Sequence, residues 1–314
     1  MPEDNVTVRV DARTFQEPLG RLAATMVEMV FREGYKHIAG PPYAGEDIAA
    51  MLRYAASIYN LLNYLNAEVR RKEDCDWYPR YGVTGMSLVR SLIDCLYNIT
   101  AILNDPAVKA PSYRKSGIKQ ILNELDQEAA EHTGQPEWET YIEQRRNGLA
   151  LYMRMSGFTL AEVVAEKGWP TLGKYIRPRR PTDPLTEHQK FLKTFTLLEW
   201  GQYSALSHAA CEAFIGNLGS IPIGAYYMND FLPHDERAKL DDNLDLFLST
   251  HLGRSATVLL CLLTEIQAHC RFDGANINAR ICSVWGALRK FPVAQEFYEG
   301  RYFKLLQERG ILPR

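Results

Sequence analysis

The stretch from Gly85 to Asn104 constrains the fold of this chain more than any other part of the sequence. Its apolar residues recur every three or four positions and cover more than half of a helical circumference. These residues are Leu88, Val89, Leu92, Ile93, Leu96, Ile99, Ile102 and Leu103. A helix that is apolar over so wide an arc is stable only when other elements surround it. The stretch therefore predicts a buried helix inside a larger helical assembly.

The same predicted helix carries a polar stripe. Its members are spaced three or four residues apart and so share one face of the helix: Ser87, Arg90, Ser91, Asp94 and Asn98. We expect Arg90 and Asp94 to form an ion pair, because a buried charge without a partner is very unfavourable. The stripe is either an internal network that fixes the register of the helix or a polar patch that lines a pocket.

Helical periodicity extends over most of the remaining sequence. The longest pattern, from Leu240 to Ile266, keeps a period of about 3.6 residues and predicts one long helix. Another predicted helix ends near Gly34. The alternation of Val6, Val8 and Val10 is the one strand-like signal and predicts a short extended segment at the N-terminus. We predict an all-α protein, a multi-helix bundle of about nine or ten helices.

A proline-rich segment at 169–184, WPTLGKYIRPRRPTDP, interrupts the helical pattern. It is either a linker or an ordered excursion of the chain. Strongly apolar helices are predicted on both sides of it, and these helices would share one core. We therefore expect residues 1–314 to form a single helical domain.

Charge and cysteine usage restrict the class of protein. The formal net charge is -2, so no overall positive field attracts nucleic acid. The six cysteines form no CxxC pair, and several lie within apolar helical patterns, which indicates reduced thiols and a cytoplasmic location. The first residues show no apolar signal region, and the longest apolar run is too short to span a bilayer, so we expect no membrane association.

Two patterns could bind metal ions. His208 and Glu212 are spaced i,i+4, as are Glu265 and His269, so each pair shares a helical face. Di-metal carboxylate bundles instead use an i,i+3 Glu-x-x-His spacing, and the alternative for these pairs is a surface ion pair. The run DDNLD at 241–245 has the D-D-x-x-D form with which helical isoprenoid synthases hold magnesium, although the downstream companion motif is missing. Its alternative is an acidic first turn stabilised by the helix dipole.

Two segments resemble a family of bacterial all-helical proteins of unknown function. LVRSLIDCLYNI contains Arg90, Ser91, Leu92 and Asp94, which match an Arg-Ser-Leu-x-Glu/Asp helix. EWGQYSALSHAAC contains Tyr203, Leu206 and Ser207, which match a later Tyr-x-x-Leu-Ser-x-x-x-His helix. Cys211 replaces the final histidine of that motif, and His208 lies one turn away. The resemblance implies that the two helices face each other across a shared polar centre.

The function predicted from these patterns is that of a helical binding or interaction protein, whose ligand is a small molecule or a protein. The alternative is a hydrolase or nuclease-like effector that acts on a phosphate-bearing substrate. Its catalytic residues would be Arg90, Asp94, Tyr203, Ser207 and His208, with Arg90 orienting an anion and His208 or Asp94 transferring protons. A metal-dependent, isoprenoid-synthase-like enzyme is the third hypothesis. The sequence indicates no particular cofactor and leaves the formation of a homo-oligomer open.

Overall fold

The computed structural model describes residues 14–71, 78–178, 180, 182–195, 234–274 and 276–312, and it describes their side chains except at 65–71, 78–87, 194–195 and 234–251. Every regular element within these ranges is helical, and none of them contains a strand. The predicted all-α multi-helix class is therefore confirmed. The alternating segment at Val6, Val8 and Val10 lies outside the described residues.

The described helices are named here in chain order. They are α1 (Gln16–His37), α2 (Tyr43–Arg71), α3 (Tyr78–Asn104), α4 (Pro106–Glu131), α5 (Pro136–Met155), α6 (Leu160–Ala165), α7 (Leu172–Tyr175), α8 (Glu187–Phe195), α9 (His234–Cys270), α10 (Ile277–Leu288), α11 (Pro292–Phe297) and α12 (Phe303–Glu308). A π-helical segment, Tyr298–Tyr302, joins α11 to α12.

Local sequence explains where several of these helices begin. Proline occupies the first position of α4, α5 and α11, where its fixed φ suits a helix and its missing N–H is not needed. Thr159 and Glu162 form a capping box at the start of α6, since each side chain accepts a hydrogen bond from the other residue's backbone N–H. Thr186 and Gln189 bond in the same reciprocal way at the start of α8.

Helices α1 and α2 form a closely packed pair. Contrary to the sequence prediction, α1 continues past Gly34 to His37. A Cβ atom on Gly45 would lie 3.1 Å from the backbone nitrogen of Tyr35, and one on Gly34 would lie 3.4 Å from the Cα of Gly45. These glycines therefore permit the two backbones to approach closely, and Gly34 is a packing residue rather than a helix end.

Helix α9 lies at the centre of the main core. Helices α1, α2, α3, α10 and α11 all pack against it, and every residue from Ser255 to Thr264 is buried. The predicted long helix is confirmed, but it begins at His234. Asp241 therefore lies about two turns inside the helix, which makes the proposed acidic first turn wrong.

Helices α4, α5 and α6 form a smaller satellite core beside the main one. Its buried residues are Ile118, Leu125, Ile142, Leu149 and Val163. Arg114 of α4 joins this satellite to α2, because its guanidinium donates to both carboxylate oxygens of Asp47, at 2.6 and 3.0 Å. The same guanidinium donates to the hydroxyl of Ser156 after α5 and lies 4.1 Å from the ring centroid of Tyr43. The satellite is thus held by a buried arginine whose three guanidinium nitrogens all donate hydrogen bonds.

The proline-rich segment is an ordered excursion over the positions described within it. Four of its apolar side chains pack against the main core: Trp169, Leu172, Tyr175 and Ile176. The same apolar cluster contains Leu96, before the segment, and Leu259, after it. The assignment of residues 1–314 to one domain remains a prediction that agrees with this shared cluster.

Candidate functional site

The predicted ion pair on α3 forms, but it is not fully buried. Arg90 Nε lies 3.9 Å from Asp94 Oδ2, and the two side chains keep 26% and 43% of their surface exposed. Partial burial raises the pKa of Asp94, and the Arg90 guanidinium opposes this rise. The expected ion pair is therefore present, and it is only partly buried.

The next turn of the polar stripe holds the excursion in place. The indole nitrogen of Trp169 donates to Asn98 Oδ1 at 2.9 Å, and the hydroxyl of Tyr97 donates to the carbonyl of Pro170 at 2.7 Å. The ring of Tyr97 also contacts the rings of Trp169 and Tyr175. Asn98 therefore has the structural role expected of an internal hydrogen-bond network. Asp94 lies one turn and Arg90 two turns away on the same face.

A chain of three hydrogen bonds connects α3, α7 and α8 behind these aromatic rings. The hydroxyl of Thr100 donates to the carbonyl of Leu96 at 2.7 Å, so its oxygen is an acceptor for His188 Nε2, which lies 3.0 Å away. His188 Nδ1 then accepts from the hydroxyl of Tyr175 at 2.9 Å. These partners assign the neutral imidazole with its proton on Nε2.

The environment of His188 keeps the ring neutral. Burial, with a smaller contribution from the positive charge of Arg301, lowers the pKa of His188 to about 4. Both ring nitrogens are occupied, and a base with so low a pKa is poorly matched to proton transfer near neutral pH. The Thr100–His188–Tyr175 chain is therefore better suited to hold α8 against α3 than to act as an acid–base group.

No motif or spacing in the sequence distinguishes Thr100, Tyr175 or His188 as site residues. The Thr186–Gln189 capping pattern could have placed His188 in the first turn of a helix, but nothing in the sequence indicates that this turn returns to α3. That contact depends on the path of the excursion between Trp169 and the start of α8. Partnerships of this kind appear only when the tertiary structure is known.

The proposed catalytic partners of Arg90 and Asp94 lie elsewhere in the chain. Tyr203, Ser207 and His208 fall outside the described residues, so their position relative to α3 stays a prediction. The same holds for the hydrolase or nuclease-like hypothesis, which depends on them. The side chains of the aspartate-rich run at 241–245 also lie outside the described part, and the isoprenoid-synthase hypothesis gains no support.

Glu265 and His269 are the proposed metal ligands whose side chains the structure describes, and the Glu265 carboxylate has an arginine partner. Glu265 accepts two hydrogen bonds from Arg301, at 2.7 and 3.2 Å, so its carboxylate is engaged by a guanidinium. Burial lowers the pKa of His269, which lies one turn further along α9. Among the residues whose side chains are described, no cluster of three or more metal-ligating groups occurs. Glu212 and His208 lie outside those residues.

Comparisons with other proteins add no functional assignment. No family model, no curated protein and no solved structure matches this chain. The resemblance to bacterial all-helical proteins of unknown function therefore stays a prediction. Within the described helices, none is long and apolar enough to cross a membrane.

Proposed function

We propose that this chain is a helical binding protein that takes a small polar ligand beside Arg90 and Asp94. The observation that carries the proposal is the geometry of this pair: its closest atoms are 3.9 Å apart, and both side chains are partly exposed. A good ion pair has a shorter contact than this, so a ligand can compete with it. Asn98, one turn further along the same face, is already engaged in an internal hydrogen bond with Trp169.

The charges of the pair suggest the class of ligand. Arg90 offers N–H donors to an anionic group, and Asp94 offers acceptor oxygens to a cationic group or a strong donor. A small zwitterion carries both groups a few ångströms apart. The site would bind it at a partly desolvated position, where charge–charge interactions are stronger than in bulk water. The proposal therefore names free amino acids and similar zwitterions as the ligand class.

The neutral state of His188 favours a structural role over acid–base catalysis for this histidine. The proposed cytoplasmic location rests on the thiols of Cys95, Cys261 and Cys270, which are free and buried, as expected in a reducing compartment.

A thermal-shift assay with matched compounds tests the proposal. The panel contains each free L-amino acid and two analogues that share its side chain. One is the primary amine, which lacks the carboxylate, and the other is the carboxylic acid, which lacks the ammonium group. We expect at least one zwitterion to raise Tm in a concentration-dependent way, with smaller shifts for its singly charged relatives. Asp94→Asn should abolish that shift.

The matched control is Asp126→Asn, which removes a carboxylate from an exposed ion pair with Arg146 on the satellite. This variant should respond to the zwitterion like the original chain. The proposal is wrong if no zwitterion stabilises the protein, or if Asp94→Asn and Asp126→Asn respond equally.

A further inference from the structure

Helix α1 carries two large aromatic side chains on its solvent side. Phe31 and Tyr35 lie about one turn apart and expose 62% and 59% of their surface. Val30 and Gly34 are buried and anchor this part of α1 against its neighbours. The two rings are therefore not needed to hold the helix in place, and adjacent exposed rings are typical of an interaction surface.

A cation lies over each of the two rings. Arg53 reaches across from α2, with its Cζ 6.0 Å from the ring centroid of Phe31. Lys36 Nζ lies 5.6 Å from the ring centroid of Tyr35. Both distances are within the range of a cation–π contact. We call these four residues the cationic aromatic surface, and it spans both helices of the closely packed pair.

Neither cation of this surface has an ion-pair partner among the side chains that the structure describes. The neighbouring acidic side chains each lie against a different basic one, namely Glu28 against Arg32, Glu33 against His37 and Glu46 against Arg114. The surface therefore presents two uncompensated positive charges beside two exposed rings.

We infer that the cationic aromatic surface binds an acidic segment of another protein. Carboxylates of that segment pair with Arg53 and Lys36, and an apolar side chain between them packs on Phe31 and Tyr35. A guanidinium can remain stacked on a ring while its N–H groups donate to a carboxylate. Arginine and aromatic side chains are also the residues that contribute most to protein–protein contacts. Opposite charge on the partner selects it and directs its approach.

The charge around the surface favours a protein partner over nucleic acid. Glu28 lies three residues before Phe31, on the same side of α1, and the whole chain has a formal net charge of -2. A nucleic-acid backbone carries a phosphate at every nucleotide and is bound by clusters of lysine and arginine. Two uncompensated cations beside an acidic residue instead match a segment that carries a few carboxylates.

The size of the surface sets the expected strength of the contact. Four residues on two helices cover much less area than the ~1,200–2,000 Å² of a standard stable interface. Both cations are exposed, so salt screens their attraction to the partner. We therefore expect a weak contact whose affinity falls as the salt concentration rises.

Selection of peptides from a random display library on the purified full chain tests this inference. The selected peptides should contain more Asp and Glu than the starting library, next to an apolar residue. The affinity of the best peptide is then measured by fluorescence anisotropy. Arg53→Glu and Phe31→Ala should each weaken its binding at least about tenfold, with unchanged circular dichroism spectra.

The matched controls are Arg154→Glu on α5 and Phe303→Ala on α12, which remove an exposed cation and an exposed ring elsewhere and should leave the affinity unchanged. The inference is overturned if no peptide is selected, if the selected peptides have no acidic excess, or if Arg53→Glu binds as the controls do. Tighter binding of a single-stranded oligonucleotide at this surface would also overturn it. None of these results depends on whether a zwitterion binds at Arg90 and Asp94.

Discussion

At the scale of single residues, two arginine–aspartate pairs show how environment determines the role of the same chemical contact. Arg114 and Asp47 expose only 8% and 14% of their side chains and make two direct hydrogen bonds. Arg90 and Asp94 are more exposed and lie 3.9 Å apart. The first pair holds the satellite core, and the second lies at a partly exposed position on α3. Only the second could be anticipated from i,i+4 spacing.

This contrast predicts a large difference in stability between two substitutions. Arg114→Met leaves the Asp47 carboxylate buried without its partner and should lower the free energy of unfolding by about 3–5 kcal/mol. Asp94→Asn removes one partner of a partly exposed pair and should lower it by less than about 1 kcal/mol. Urea unfolding of both variants measures the difference, and similar losses would contradict the assigned environments.

At the scale of elements, α9 shows what hydrophobic periodicity predicts and what it leaves out. The pattern from Leu240 onward predicted one long helix because apolar spacing near 3.6 residues is a local property of the sequence. It did not reveal that α9 is buried on all sides from Ser255 to Thr264, where the Trp285 indole nitrogen donates to the threonine hydroxyl at 3.0 Å. Likewise, Gly34 has the local signature of a helix end, and only the approach of α2 explains why the helix continues.

The Trp285 contact predicts an unequal effect of two similar substitutions in α9. Thr264→Val removes the acceptor of a buried indole N–H and should lower the free energy of unfolding by about 1–3 kcal/mol. Thr257→Val is the control, because its buried hydroxyl donates to the carbonyl of Gly253 and serves no side-chain donor in the described structure. Its effect in urea unfolding should be smaller, and equal losses would show that Trp285 does not depend on Thr264.

At the scale of the whole molecule, the helical class could be predicted, whereas the connections between distant segments could not. Periodicity indicated the buried helix at α3 and its ion pair, because both depend on residues within a few turns. The Thr100–His188–Tyr175 chain joins positions far apart in sequence, and it depends on how the excursion folds back. The predicted roles of Tyr203, Ser207 and His208 stay predictions, since these residues lie outside the described structure.

The burial of His188 also predicts how global stability depends on pH. Its pKa falls from the ordinary histidine value to about 4 on folding, so the unfolded chain binds more protons between about pH 6.5 and 4. Stability should therefore be full above pH 6.5 and decrease by at most about 3 kcal/mol as the pH falls through this window. His269 contributes with the same sign, because burial also lowers its pKa.

His188→Gln separates the two histidines. Urea unfolding at several pH values should give a weaker pH dependence for this variant between pH 4 and 6.5, whatever its stability at neutral pH. An unchanged slope would mean that His188 is not the residue that protonates on unfolding.

The central claim is that the Thr100–His188–Tyr175 chain is neutral and holds α8 against α3, and the most direct measurement is an NMR titration of the His188 ring. With selectively labelled histidine, and His188→Gln to assign the signal, we expect the Nε2–H tautomer to persist at neutral pH and the ring to titrate near pH 4. A pKa between about 6 and 7, or a proton on Nδ1, would contradict this account. Such a result would make His188 a candidate proton-transfer group and would favour catalysis over binding.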